Sequence, residues 1–398
     1  MAKLRVKNCT GCGACANICP HSAIKMIEDK KGFLKPEIDK NKCTNCGLCE
    51  KNCPVLHYVS DNTLSPKVYA FINNDEQIRL KSSSGGAFPA LARYIVNNNG
   101  VVFGAVYDKE LKVCHTMAQN VEETLPMQIS KYVQSDTKNT YQEAKSALQQ
   151  GRNVLYSGTP CQIAGLKFFL GKDYENLLTL EIICHGVPSR KVFAMYKQEC
   201  MNDFGSELVS INMRDKINGW RPELIITINT KASTHSLSRL EDTYMQAFLA
   251  NMSINDCCVD CKFNKLPRVA DITLGDFWGV DEFDTSLNDR KGTSIVLLNT
   301  AKGEKYFNKI IKKEARLVKE VPIEAAIKYN QNIISSSISH PKRNAYLKEI
   351  SQGKKNLKKL NKKYLNAGKY PKPVMFIYRI LPPQIKNPLR KIVKKFYL

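Results

Sequence analysis

The chain has 398 residues, 43% hydrophobic and 24% charged, a composition that fits a folded protein of two or three domains and excludes wholesale disorder. No stretch approaches the roughly 18 uninterrupted apolar residues of a spanning helix, and the opening MAKLRVKNCT lacks a secretory apolar core, so a cytoplasmic protein is expected. The formal charge of +23 belongs mainly to one end: residues 341–398 hold 17 Lys and Arg against one acid, Glu349, and the other 340 residues carry only +7.

Fifteen cysteines in a cytoplasmic chain point to metal or redox chemistry, because cellular thiols oppose structural disulfides. Eight of them form an internal repeat at the front, NCTGCGACANICP (8–20) echoed by KCTNCGLCEKNCP (42–54). The spacing Cys9-x2-Cys12-x2-Cys15-x3-Cys19-Pro20 returns as Cys43, Cys46, Cys49 and Cys53 before Pro54. Three closely spaced thiolates wrap one cubane, and the fourth, carried onward by the proline, ligates the other. Cys9, Cys12, Cys15 and Cys53 are therefore expected to hold one 4Fe-4S cluster, and Cys43, Cys46, Cys49 and Cys19 a second. Zinc sites favour two separated cysteine pairs and have no use for this crossed arrangement. Residues 1–56 resemble the bacterial two-cluster ferredoxins, with AIKMI and FLKPEI as short strands around a turn at Gly32.

A polar linker is expected over 57–67, ending in Ser-Pro. From Val68 onward helices alternate with strands. VYAFI, VVFGAVY, NVLYSG and LLTLEIIC read as strands, and AFPALARYIVNNNG, CQIAGLKFFLG and SRKVFAMYKQEC as helices. Successive strand-to-helix units imply a parallel, helix-flanked sheet, while ELIITINT and VADITLGDFWG add strands without helical crossovers and make it mixed. The expected fold class is α/β, α+β overall. A small two-cluster ferredoxin domain (1–56) is fused to a mixed, mostly parallel core whose first part is 68–150 and second part 151–320. A helical, strongly basic tail follows at 321–398.

Cys161 and Cys184 follow strands NVLYSG and LLTLEIIC, at the carboxyl edge where α/β sheets bind ligands. Cys258 and Cys261 form a Cys-x2-Cys pair in DCCVDC. On spacing alone, a cluster, a zinc ion and buried thiols are equal readings of these four. Cys114, Cys200 and Cys257 read as half-buried thiols without a role.

SSSGGAF (82–88), SKYVQS (130–135), SGTPCQIAGL (157–166), ICHGVPS (183–189), MRDKINGW (213–220), CCVDCKF (257–263) and DITLGDFWG (271–279) occur in this order. Together they resemble the beta-subunit family of the coenzyme F420 hydrogenases and dehydrogenases, from about Val68 to Gly303. The resemblance implies FAD and a third 4Fe-4S cluster held by Cys161, Cys184, Cys258 and Cys261. It also implies electron passage between a two-electron partner and iron–sulfur centres.

With that resemblance, Ser84, Gly85 and Gly86 become flavin contacts, although alone they read as a loop and helix cap. Lys131 would offer a cation to phosphate or to the flavin ring, Tyr132 a stacking or donor group, and Gly158 and Thr159 a turn toward the flavin. His185 is a candidate proton donor with an equal reading as a helix cap, and Lys131 a second candidate in the chemistry. Arg214 and Lys216 read as a charged strand-end loop or an acidic-substrate site, and Asp276 and Trp278 as pocket shape. No Gly-x-Gly-x-x-Gly supports a nicotinamide site.

The expected function is an iron–sulfur flavoprotein oxidoreductase linking a two-electron carrier or substrate, such as a reduced deazaflavin, to one-electron clusters. The alternatives are a ferredoxin-dependent reductase of an organic substrate and a non-catalytic electron-transfer subunit. Expected partners are a redox protein, such as ferredoxin or another subunit, and a small carrier. Nucleic acid is not expected, because the most basic stretch lacks interleaved aromatics. The basic tail could meet an anionic membrane surface or pack as a solvated helix pair.

Overall fold

The computed structural model describes residues 6–59, 65–220, 224–354 and 356–365. Beyond residue 365 the expected basic tail lies outside the described residues. The strands are β1 Ile24–Glu28, β2 Leu34–Ile38, β3 Lys67–Asn73, β4 Val101–Tyr107, β5 Val113–Ala118, β6 Val154–Gly158 and β7 Leu177–Ile182. After them come β8 Leu208–Asp215, β9 Ile225–Thr230, β10 Thr234–Ser238, β11 Ile272–Asp276, β12 Ser294–Leu298 and β13 Ala315–Glu320. No helix among the described residues is long and apolar enough to cross a membrane.

The front domain is the expected duplicated unit, with β1 and β2 antiparallel and Ile24 opposite Ile38. Behind it stands an eight-stranded sheet of order β13-β3-β12-β11-β7-β6-β4-β5. Its centre, β4, β6, β7 and β11, is parallel, and β5, β12 and β13 run against their neighbours. Strands from both expected parts of the core thus interleave in one sheet.

Alternation along each strand sorts side chains to two covered faces. Val101, Phe103, Val154, Tyr156 and Leu177 pack with Tyr141, Ile163 and Leu166 of the helices Thr140–Gln149 and Pro160–Leu170. Val102, Leu155, Leu178, Leu180, Ile272 and Val296 pack with Leu91, Ile95, Phe307 and Ile310 of the helices Ala87–Val96 and Ala301–Glu314. The result is a three-layer sandwich, and the front domain joins the first face through Cys12, Ala14, Cys53 and Val55.

One expectation is corrected. The ELIITINT strand, β9, pairs with β8 and β10 in a separate three-stranded sheet rather than extending the main one. With no helical crossover between them, β8, β9 and β10 satisfy one another antiparallel. The helices Arg190–Phe204, Thr243–Leu249, Arg343–Ser351 and Leu357–Leu365 share one core with this sheet. Cys114, Cys200 and Cys257 are fully buried rather than half-buried.

The front domain is fastened to the core by buried polar bonds. The Gln134 side chain accepts from Leu34 N (2.7 Å) and donates to Thr10 O (3.1 Å), and Thr137 donates to Cys12 O (3.2 Å). Gln134→Ala strips partners from two buried backbone groups, so we expect a loss of about 2–4 kcal/mol in chemical denaturation; a change within about 0.5 kcal/mol would remove this residue from the docking account.

His115 on β5 ties the sheet edge to the site. Its Nε2–H donates to Ser157 O (3.0 Å), which leaves Nδ1 to accept from the Ser135 hydroxyl (2.8 Å). Burial holds this neutral imidazole down at about 4. The folded protein therefore binds fewer protons than the unfolded chain between pH 6.5 and 4, and the contribution is present above that window and lost as pH falls through it. The stability advantage of the parent over His115→Gln should narrow by roughly 2–3 kcal/mol between pH 7 and 4.5. A gap independent of pH in paired urea titrations would contradict this reading.

Candidate redox site

Twelve of the cysteines fall into three sets. In the first, burial pushes Cys15 up to about 12, and Cys9 and Cys53 raise it further. Burial likewise lifts Cys12 well above the usual thiol range, with Cys15, Cys9 and Cys161 adding to it, and lifts Cys53, with Cys9 adding. The second set, Cys19, Cys43, Cys46 and Cys49, lines a hollow together with Ile24, Ile38 and Leu48. Cys46 there is exposed. Cys53 thus stands with the first repeat and Cys19 with the second, the crossing that the spacing implies.

The third set forms where the core's strands end. Thr159 and Gln162 form a capping box at the start of the helix Pro160–Leu170, with Pro160 in its first turn. Thr159 N donates to Gln162 Oε1 (3.0 Å), and the Thr159 hydroxyl lies 3.2 Å from Cys161 Sγ. This places Cys161 in the first turn of a helix, where the dipole favours a thiolate. Burial still pushes Cys161 up to about 12, with Cys261 and Cys258 raising it too. Cys184 is raised by burial and then by Cys258, Cys161 and Cys261. Cys257 donates to Cys258, which pulls the Cys258 thiol down.

Four sulfurs without carboxylate or imidazole are a cluster or zinc donor set. Thiols that raise one another's pKa become compatible as thiolates when a cationic core sits among them, so the residues fit such a group. Among the described residues, no three Cys, His, Asp or Glu side chains converge as tightly as a single ion requires. The ligands of a four-iron cube bind different irons and stand farther apart.

Cys12 of the first set packs against the helix that carries Cys161. A Cβ on Gly165, one turn after Cys161, would lie 3.0 Å from Cys12 Sγ and 2.9 Å from the Tyr141 hydroxyl. Only glycine admits this approach of the helix to the front domain. Tyr141 seals it, its hydroxyl lying 2.8 Å from Cys12 O and 2.7 Å from Gln162 O.

The remaining site residues lie in loops at and beside the carboxyl edge of the main sheet, where a ligand cleft of an α/β fold forms. Ile182 ends a strand in the middle of that sheet and is 42% exposed. Ser83, Ser84, Ser130, Lys131, Tyr132, Gly158, Thr159, His185 and Trp278 are all half-buried. The Ser83 and Ser130 hydroxyls lie 3.1 Å apart, and Ser84 donates to Thr293 O (2.8 Å). Arg214, 3% exposed at its side chain, pairs with Asp276 (2.9 Å), donates to Ser83 O (3.0 Å), and lies over the Trp278 ring at 5.1 Å. Trp220 donates to Asp276 (3.0 Å) and stacks parallel to Trp278. Tyr132 bonds to Arg214 and packs on Phe248.

Lys131 donates to Pro126 O, and burial pulls it down to about 7. Lys216 donates to the carbonyls of Arg79 (2.7 Å), Ser84 and Lys291 (2.8 Å), and burial brings it also to about 7. Arg214 and Lys216, read from sequence as a charged loop, are buried and organise the Ser83–Ser84 turn.

His185 Nε2–H donates to Asn251 Oδ1 (2.6 Å), and the ring meets Phe248 edge-on. Gly85 is occupied structurally. Its N–H donates to Ser294 Oγ (2.9 Å), and a Cβ there would strike Phe71 O at 2.3 Å. Gly86, at φ +85°, caps the helix Ala87–Val96. Tyr132, Trp278, Ser83, Ser130 and Lys131 bring aromatic, hydroxyl and amine groups of the kind that a flavin dinucleotide would need. Sequence reasoning missed Phe248, Asn251 and Arg268, which carry no motif and enter only through the fold, and it gave no role to Trp220 within MRDKINGW.

Comparison with known proteins finds similarity in both parts of the chain. Residues 151–324 match the family model for the carboxyl-terminal region of the coenzyme F420 hydrogenase/dehydrogenase beta subunit, and residues 8–56 match a 4Fe-4S dicluster domain. The chain is 23% identical over 328 residues to the coenzyme F420-dependent sulfite reductase of Methanocaldococcus jannaschii, across 79% of this chain and 47% of that protein. The chain thus spans about half the length of that curated relative. A chain of the F420-reducing NiFe hydrogenase complex from Methanosarcina barkeri superposes with a TM-score of 0.45 and 17% identity, covering 71% of this chain and 99% of that one. The chain is thus similar to the carboxyl-terminal region of the coenzyme F420 hydrogenase/dehydrogenase beta subunit through residues 151–324, behind a match to a 4Fe-4S dicluster domain at residues 8–56.

Proposed function

We propose that the protein links a two-electron carrier, reduced coenzyme F420 or a related hydride donor, to a one-electron partner protein. The observation that supports this most is the contact of Cys12 with the helix that bears Cys161, which brings the front thiols against the third set. In this reading Cys9, Cys12, Cys15 and Cys53 hold one 4Fe-4S cluster, Cys19, Cys43, Cys46 and Cys49 a second, and Cys161, Cys184, Cys258 and Cys261 a third. The cleft at Ile182 holds FAD. When bound, these groups supply the exchange between electron pairs and single electrons, since a flavin carries either and a cluster carries one.

The protein's own part is placement. Arg214, buried and paired with Asp276, braces the Ser83–Ser84 turn from behind, and Lys131 would place an amine beside a pyrophosphate or an anionic ring. Tyr132, Phe248 and Trp278 offer aromatic walls, and His185, fixed by Asn251, holds an imidazole beside the third thiol set. Cys46 opens the second set to solvent, where a partner protein can approach. That opening equally favours a second reading, in which a reduced ferredoxin-like partner delivers electrons toward an organic substrate at the cleft.

Anaerobic reconstitution should give about 12 iron atoms per chain with one FAD, and Cys161→Ala should lose about four irons while sparing the front domain. About eight irons without flavin, or iron unchanged in Cys161→Ala, would contradict the proposal. Reduction of the bound flavin by reduced F420 but not by NADH supports the first direction, and reduction only by reduced ferredoxin supports the second.

A further inference from the structure

Beside the third thiol set lies a buried ion pair that the proposed chemistry leaves unused. Arg268 Nε donates to Glu181 Oε1, and both side chains are 0% exposed. Each comes from a segment that carries proposed ligands: Glu181 lies on β7 three residues before Cys184, and Arg268 seven residues after Cys261. Glu181 also accepts from Thr273 Oγ1 (3.1 Å) and Ala270 N (3.2 Å), on the sheet side of the pair.

The guanidinium points the other way. Arg268 Nη1 donates to Ile333 O (3.1 Å) and reaches Asn332 O (3.4 Å). These carbonyls belong to the segment whose Ser336 hydroxyl accepts from Cys261 N (2.8 Å) and whose Ser337 hydroxyl donates to His185 O. Nη2 is buried and has no partner among the described residues.

Two fully buried charges are an expensive way to fill a core, and an apolar pair of similar volume is often as stable or more so. An unpartnered guanidinium N–H adds to that cost. Other cations near the set are engaged elsewhere. Lys262 donates to Val55 O (2.8 Å), and Arg343 pairs with Asp256, which also pairs with Lys31.

We propose that Arg268 is a positioning residue for the thiolates Cys161, Cys184, Cys258 and Cys261, oriented by Glu181 so that its positive pole faces them and raises the reduction potential of the cluster they hold. The inference rests on the third-cluster reading. One-electron reduction adds a negative charge to the cluster, and a guanidinium in a low-dielectric interior stabilises that charge most in the reduced state. Its carboxylate partner is engaged on the sheet side, by Thr273 Oγ1 and Ala270 N.

The test is an EPR-monitored potentiometric titration of the reconstituted full chain, the third cluster being assigned as the reduced-state signal absent from Cys161→Ala. Arg268→Gln should move its midpoint to lower potential by at least the equivalent of tenfold in the one-electron equilibrium, 59 mV. Glu181→Gln should move it upward, and Arg268→Lys should stay near the parent. A purely structural pair would shift both single variants the same way or leave the potential unmoved, and either result overturns the inference. If a single variant fails to fold, Glu181→Gln with Arg268→Gln keeps a hydrogen-bonded neutral pair. That double variant should still lie below Arg268→Lys in potential, and equality overturns the proposal. If Cys161→Ala loses neither iron nor a signal, the third-cluster reading itself fails and this inference falls with it. If the signal is present but unmoved, only the role of Arg268 fails.

Discussion

The close contact of Cys12 with the helix bearing Cys161 is the constraint on which the rest of this structure depends. It requires a glycine at 165 and a shared hydroxyl from Tyr141, which lies against Cys12 O and Gln162 O at once. Without it the front domain would be a tethered carrier, free to sample the core. With it, the first thiol set becomes part of the core's own wall, sharing a buried cluster of side chains with Ile163, Leu166 and Phe263. Gln134 and Thr137 hold the same loop from the side through the carbonyls of Thr10 and Cys12. The front domain is therefore docked by main-chain recognition, which fixes its position without using the side chains that ligate.

The second organising feature is the carboxyl edge of the parallel strands. Cys161 and Cys184 emerge there, as do Asp276 and the exposed Ile182, so the third thiol set and the cleft share one rim. Arg214 and Lys216 reach this rim from β8 and the loop after it, and tie the Ser83–Ser84 turn to Asp276 and to surrounding carbonyls. The smaller sheet is thus a second wall of the cleft. Its charges are buried, and that is what holds the serine turn in place.

Much of this was legible in the residues. The crossed cysteine spacing predicts which repeat supplies each fourth thiol, because the proline after Cys19 and Cys53 throws the chain onward. The strands VVFGAVY and NVLYSG were readable because burial on both faces leaves an unbroken apolar run. What could not be read came from non-local pairing. β5, β12 and β13 run antiparallel within the main sheet, and β9 leaves it, although their local sequences resemble those of the other strands. Gly85 read as a ligand loop and is instead packed against Phe71 O and Ser294, since a small residue beside a helix start serves either purpose. Lys216 read as a charged strand-end loop or an acidic-substrate site and Arg268 drew no reading, because burial of a cation depends on carbonyls and carboxylates contributed from far along the chain.

The central claim is that the front domain and the core form one continuous electron-transfer unit joined at Cys12 and Gly165. Pulsed EPR of the fully reduced, reconstituted chain tests it most directly. The account predicts magnetic coupling between the cluster at Cys9, Cys12, Cys15 and Cys53 and the one lost in Cys161→Ala. Independent, uncoupled signals from the two would contradict it.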